Sequence, residues 1–168
     1  VYAIKVLNKF GYQAVIPSFG KDKLKRPLCC GRTYISYGQL EKASEELNRF
    51  NDYVIQNNYI DLPVVGIEPS CLLTFNDEYQ TLKNVKNREQ IKNKFYLLEE
   101  FILEQIRNNN KIKANKFDQN VLIHGHCHQK SQDRMKGLTN LLSELNINNK
   151  MIDSSCCGMA GSFGYDSK

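Results

Sequence analysis

The stretch Ile152-Asp153-Ser154-Ser155-Cys156-Cys157-Gly158-Met159-Ala160-Gly161-Ser162-Phe163-Gly164 sets two adjacent cysteines after an apolar strand-like segment and follows them with three glycines. Leu28-Cys29-Cys30-Gly31-Arg32 repeats its centre far upstream. Neighbouring cysteines make a poor disulfide with each other, because the ring they would close is small and far from relaxed S–S geometry. Two thiols side by side suit a metal centre, which collects several thiolates within a few ångströms. The glycines let the backbone turn sharply and approach a bulky inorganic group. The competing reading of a single Cys-Cys-Gly is a pair of small buried apolar side chains beside a turn. Its recurrence within 168 residues favours the metal.

Working outward, Cys71 and Cys127 complete a set of six cysteines. A cysteine-rich chain without a secretory signal points to metal or redox use rather than a disulfide framework. No apolar run approaches the roughly 20 residues of a membrane helix. The expected location is therefore the cytoplasm, free or peripheral to the inner face of the membrane. The net charge is +5, but lysines are scattered among asparagines, as in Asn108-Asn109-Asn110-Lys111. A nucleic-acid partner would call for a clustered basic patch with aromatics, so none is expected. The chain opens at Val1 rather than Met and stops at Lys168, and both ends read as cut from a longer protein.

Apolar spacing predicts helices over 1–10, from Tyr37 to Asn57, from Asn87 to Asn108 and through Met135 to Leu145. Short strands are expected at Ala14-Val15-Ile16, from Leu62 to Ile67, at Val121-Leu122-Ile123 and from Lys150 to Asp153. Strands alternating with helices predict an α/β fold with mostly parallel sheets. Cys71, Cys127 and the pair Cys156/Cys157 then fall just past C-terminal strand ends, the edge where such sheets bind ligands. A weak internal repeat divides the chain into two pseudo-repeated halves, 1–110 and 111–168, the first cut at its start and the second at its end.

Two CxxC pairs would indicate a zinc ribbon, and that spacing is absent. Zinc held by Cys and His together stays open, since His124, His126 and His128 flank Cys127. Adjacent thiols can bind different irons of one cluster, which favours iron–sulfur over zinc. A histidine here also serves by hydrogen bonding to a thiolate, and a Cys127–His nucleophile is a third reading. Glu68 lies three residues before Cys71, where it can ligate, move a proton or cap a helix. His126, His128 and Glu68 therefore stand as further candidate ligands.

The segments CCGRTYISYGQLEKA, VVGIEPSCLLTFNDEY, VLIHGHCHQKS and DSSCCGMAGSFGY resemble the cysteine-rich CCG domain found in the B subunit of heterodisulfide reductase and in the glycolate oxidase iron–sulfur subunit. Nearest in pattern is the C-terminal region of FAD-linked D-2-hydroxy-acid dehydrogenases. The resemblance implies a 4Fe–4S-type cluster and electron transfer from FAD on another part of the full protein. It also implies a flavin dehydrogenase domain or subunit and a ferredoxin-like module as partners. By position, Cys29, Cys30 and Cys71 match the first half of the family motif, and Cys127, Cys156 and Cys157 match the second. Glu68 stands where the family's CxxC begins, and no cysteine precedes Cys29, so the first half departs from a five-cysteine set. The reading from these motifs is an iron–sulfur electron-transfer domain of a 2-hydroxy-acid (glycolate, D-lactate or 2-hydroxyglutarate type) oxidoreductase, not expected to turn over substrate by itself. Its rival is a zinc-stabilised, non-catalytic interaction domain. No GxGxxG flavin fingerprint occurs.

Overall fold

A computed structural model describes residues 2–17, 24–108, 117–155 and 157–158. The chain divides into two compact units, Val1–Leu98 and Glu99–Lys168. Both mix helices with short parallel strand pairs, so the fold is broadly α/β.

In the first unit the helices are α1 (Tyr2–Lys9), α2 (Arg32–Ser36), α3 (Leu40–Gln56), α4 (Pro69–Asn76), α5 (Glu78–Thr81) and α6 (Arg88–Ile91). Strands β1 (Val64–Gly66) and β2 (Phe95–Leu97) pair in parallel, Val64 opposite Phe95. The core lies between α3, α4 and β2. Ala43, Leu47 and Val54 from α3 meet Leu72, Leu73 and Phe75 from α4 and Phe95 and Leu97 from β2. Phe75 stacks on Phe95 with ring centroids 4.4 Å apart. Gly66 lets α4 come close to β1: a Cβ there would stand 2.7 Å from Leu72 Cδ1.

The polar side of α3 is also anchored. Ser44 Oγ donates to Lys83 O at 2.8 Å, Asn48 Nδ2 to Asn84 O at 2.9 Å, and Asn51 Nδ2 to Lys86 O at 2.6 Å. These three residues sit at i, i+4 and i+7 of one helix face. They hold the loop that leads from α5 to α6.

The second unit carries α7 (Leu98–Asn108), β3 (Val121–Ile123), α8 (Cys127–Ser131), α9 (Met135–Glu144) and β4 (Asn149–Met151). Strands β3 and β4 are parallel, with Val121 opposite Asn149. Arg134 grips Glu100 of α7 with two hydrogen bonds, Nε to Oε1 at 2.6 Å and Nη2 to Oε2 at 2.5 Å. Among the described residues, no helix is long and apolar enough to cross a membrane.

Two expectations from the sequence are corrected. Residues 14–16 form no strand; Val15 and Ile16 are 50% and 59% exposed, so their β-branched character goes unused in a sheet. The helix expected from Asn87 to Asn108 is broken into α6, β2 and α7. Asn93 adopts φ 64, the left-handed region, which ends a helix. The aromatic pair Phe95-Tyr96 then finds a ladder partner, beginning with Val64 N donating to Lys94 O at 2.7 Å.

Candidate functional site

The first Cys-Cys-Gly is placed by a buried carboxylate. Glu46 on α3 is 2% exposed and accepts from Arg26 Nη2 and, at 2.5 Å, from Arg49 Nη1. Arg49 Nη2 in turn donates to Arg26 O at 3.0 Å and Pro27 O at 3.1 Å. The backbone immediately before Leu28-Cys29-Cys30 is thereby fastened to α3. Gly31 closes the loop with φ 75, and a Cβ on it would lie 3.1 Å from Ala43 O and 3.2 Å from Ala43 Cα. Only glycine takes that conformation at that approach without strain.

This packing sends the two cysteines different ways. Gly31 N donates to half-buried Cys29 Sγ at 3.4 Å. Cys30 turns into the core, 8% exposed. There it lies close enough to Cys71, in the first turn of α4, for each thiol to shift the ionisation of the other. Cys71 itself is exposed. Under the influence of Cys30 the Cys71 thiol is lowered to about 7, against the opposing effects of burial and of the charges on Glu68 and Cys29. Cys30 moves the other way, held as a thiol by Cys71 and by burial. Glu68 caps α4: its Oε1 accepts from Ser70 N at 3.2 Å and Ser70 Oγ at 2.6 Å. Pro69 follows at the first helical position, where its missing N–H costs nothing. Of the roles open to Glu68 in the sequence, capping is the one its geometry displays.

In the second unit Cys127 is the first residue of α8 and half-buried. His126 precedes it as the N-cap, its Nδ1 accepting from His128 N at 3.2 Å. A ring nitrogen that accepts a backbone N–H is unprotonated, so the neutral ring carries its proton on Nε2. The His126 and His128 rings meet edge to face with centroids 5.4 Å apart. His124 is exposed. After β4 the chain stays beside β3, with Ile152 N donating to Ile123 O at 2.8 Å. Lys130 on α8 then reaches over to Ser154 O at 2.7 Å. The backbone approaching the second Cys-Cys-Gly is thus tied to the helix that begins at Cys127. Cys157 is exposed; Cys156, Gly161 and Gly164 lie outside the described residues.

A cysteine-ligated cluster needs thiolates, softened further by hydrogen bonds to sulfur. The donor chemistry of Cys71 and Cys29 fits that requirement, the first lowered toward neutrality and the second receiving a backbone N–H, whereas Cys30 is held as a thiol and must give up its proton to join them. The described set is nonetheless open. Among the described residues, no group of three or more His, Cys, Asp or Glu side chains is placed to hold a metal ion.

Glu46, Arg26, Arg49 and Lys130 have no place in the sequence reading of the site. Glu46 left a trace, being a carboxylate three residues after Ala43 and four before Phe50 on a predicted apolar face. Lys130 left none.

No family profile matches the chain, and no solved structure matches it. Among curated proteins it is similar to the C subunit of anaerobic glycerol-3-phosphate dehydrogenase from Escherichia coli, 24% identical over 164 residues. That match covers 96% of this chain and 39% of the relative. It is also similar to D-2-hydroxyglutarate dehydrogenase from Pantoea ananatis, 24% identical over 98% of the chain, and to the Escherichia coli protein of that name at 20%. The chain spans 15% of the length of either D-2-hydroxyglutarate dehydrogenase. These relatives are thus a dehydrogenase subunit and two dehydrogenases, and the alignments run across both units.

Proposed function

We propose that this chain is the electron-transfer portion of an FAD-linked oxidoreductase acting on a 2-hydroxy acid or a related polyol phosphate. In this reading Cys29, Cys30 and Cys71 in one CCG half and Cys127, Cys156 and Cys157 in the other, the halves dividing near residue 110, are ligands for iron–sulfur of the 4Fe–4S type. The flavin and the substrate site belong to other parts of the full protein or to a partner protein, with a ferredoxin-like module between them. Similarity to one component of a multi-component dehydrogenase and to one segment of a dehydrogenase several times longer supports that division of labour.

The observation that carries the reading is the Cys30–Cys71 thiol pair with Cys29 beside it. Residues distant in sequence are folded so that three thiols come within electrostatic reach of one another at the start of a helix. When bound, the cluster supplies one-electron storage at a potential set by burial and by hydrogen bonds to its sulfurs. The protein's own part is to orient these thiols. Glu46 and Arg49 fix the loop, the Gly31 N–H polarises Cys29, and the first turn of α4 presents Cys71.

Anaerobic reconstitution of the chain with iron and sulfide tests the proposal. Bound iron and sulfide with visible absorption are expected, and Cys156→Ser is expected to lower the iron content. Colourless protein with stoichiometric zinc would establish the interaction-domain reading instead. An unchanged spectrum and iron content in the Cys156 variant would remove that residue from the ligand set.

A further inference from the structure

Lys130 spends its charged end on the main chain. Its Nζ donates to Ser154 O at 2.7 Å and, more loosely, to Ser155 O at 3.5 Å, the carbonyl whose peptide continues into Cys156. The side chain starts from α8 three residues after Cys127, on the same face of that helix. It reaches the loop by passing Gly125, which is buried: a Cβ on Gly125 would stand 2.9 Å from Lys130 Cε and 2.9 Å from Met135 Sδ. The aliphatic stem is thus packed against the turn after β3, and the ammonium is delivered to the two carbonyls. Ser154 Oγ, in the residue so held, is buried and makes no hydrogen bond among the described residues. Burying a hydroxyl in that state is unfavourable. The loop therefore needs a restraint from outside itself, and the charge-assisted bond from Lys130 is in place to give it.

We propose that Lys130 is the positioning residue of the second cysteine set: its ammonium docks the Ser154-Ser155 backbone onto the helix that begins at Cys127, and fixes one positive charge beside the entry to the second Cys-Cys-Gly. Thiolates gathered at one centre repel each other, and a fixed ammonium offsets part of that repulsion. Gly125 serves the same end by keeping the path of the lysine open. The role toward the centre rests on the iron–sulfur reading above; the docking does not.

The test compares Lys130→Met, which keeps an unbranched stem and removes the charge, with Lys130→Arg, which keeps a charged donor. In the reduced, metal-free chain the reporter is hydrogen exchange at the Ile152 amide, which donates to Ile123 O at 2.8 Å just ahead of the docked residues. Lys130→Met is expected to speed that exchange about tenfold, the loss of a hydrogen bond from a charged donor, and Lys130→Arg to leave it within about threefold of the unsubstituted chain. The Val64 amide, bonded to Lys94 O in the first unit, is the control and should not change. On anaerobic reconstitution with iron and sulfide, Lys130→Met is expected to retain less iron than Lys130→Arg. Unchanged Ile152 exchange in Lys130→Met, or equal loosening in both variants, overturns the docking. Loosened exchange with equal iron in the two variants overturns the role toward the centre. If none of the three chains takes up iron, the iron–sulfur reading and that role fall together, and the exchange comparison still decides the docking.

Discussion

Arg49 Nη1 donates to Glu46 Oε2 at 2.5 Å, one turn along α3, while the same guanidinium holds the carbonyls of Arg26 and Pro27. A helix pair that would be of little consequence on the surface here carries a tertiary restraint, because Glu46 is almost fully buried. Removing one member of a buried pair leaves the other's charge uncompensated. Both arginines are partly exposed, which moderates that cost. Glu46→Ala is therefore expected to destabilise the protein by about 2 kcal/mol in urea denaturation. Thiol labelling at Cys29 should also speed up, as the loop before it loosens. A change below roughly 0.5 kcal/mol, the range of ordinary surface substitutions, with unchanged labelling would remove Glu46 from its role as anchor.

Gly31 makes a second restraint on the same loop. With φ 75 and Ala43 O 3.1 Å from its would-be Cβ, Gly31→Ala adds backbone strain and forces the loop away from α3. The conformational part alone costs about 1–2 kcal/mol. Gly38 has φ 71 but open space around its would-be Cβ, so Gly38→Ala isolates the strain term. Thermal denaturation should find Gly31→Ala the more destabilised of the two, with Cys30 more accessible to alkylation. Equal losses would mean that the approach to Ala43 does not matter.

The α3 stripe of Ala43, Leu47 and Val54, the β1 run and the strand before His124 were legible because each obeys a simple period or an unbroken apolar run. The region from Ile91 to Leu98 was not. Ile91, Phe95 and Leu98 fall at helical spacing, and nothing local announces that Phe95 will stack on Phe75 while its strand pairs with Val64. Tertiary partners 20 to 31 residues away decide it. The cysteines were visible as chemistry from their residue type. The restraints that aim them, Glu46 and Lys130, are long-range ion pairs and side-chain-to-backbone bonds, which leave no periodic signature.

The correction at β2 can itself be tested. Phe95 is buried, stacks on Phe75 at 4.4 Å and lies 5.8 Å from Phe50 by ring centroids. Phe95→Ala removes a ring from the centre of the first unit and is expected to cost about 3–5 kcal/mol. Were residues 87–108 one amphipathic helix instead, alanine would raise local helix propensity and offset part of the loss. Circular dichroism separates the two: the strand account forbids any gain in helical signal in the folded variant.

The acidity of Cys71 follows from its partner and is open to direct titration. Cys30 beside it lowers Cys71 from an ordinary 9.0 to about 7, while Cys30 is raised by Cys71 and by burial. In the reduced, metal-free protein, iodoacetamide should modify Cys71 with a rate that climbs tenfold per pH unit and levels near pH 7. Cys30→Ala deletes that neighbour, so the midpoint should move up toward 9.0. Stability follows with opposite signs for the two thiols. The contribution of Cys71, whose folded value is depressed, is present above its ordinary value and lost as pH falls through about 7. That of Cys30, whose folded value is raised, is present below its ordinary value and lost as pH rises through the raised one. Between pH 7 and 9 the folded pair has released a proton that the unfolded chain still holds, so the difference in melting temperature between the native protein and a Cys30→Ala, Cys71→Ala double variant should widen as pH rises across that window. Above it the unfolded chain loses the proton that folded Cys30 keeps, and the difference should narrow again. An alkylation midpoint near 9.0 in the unsubstituted protein, with a flat melting difference, would mean that the two thiols do not act on each other in solution.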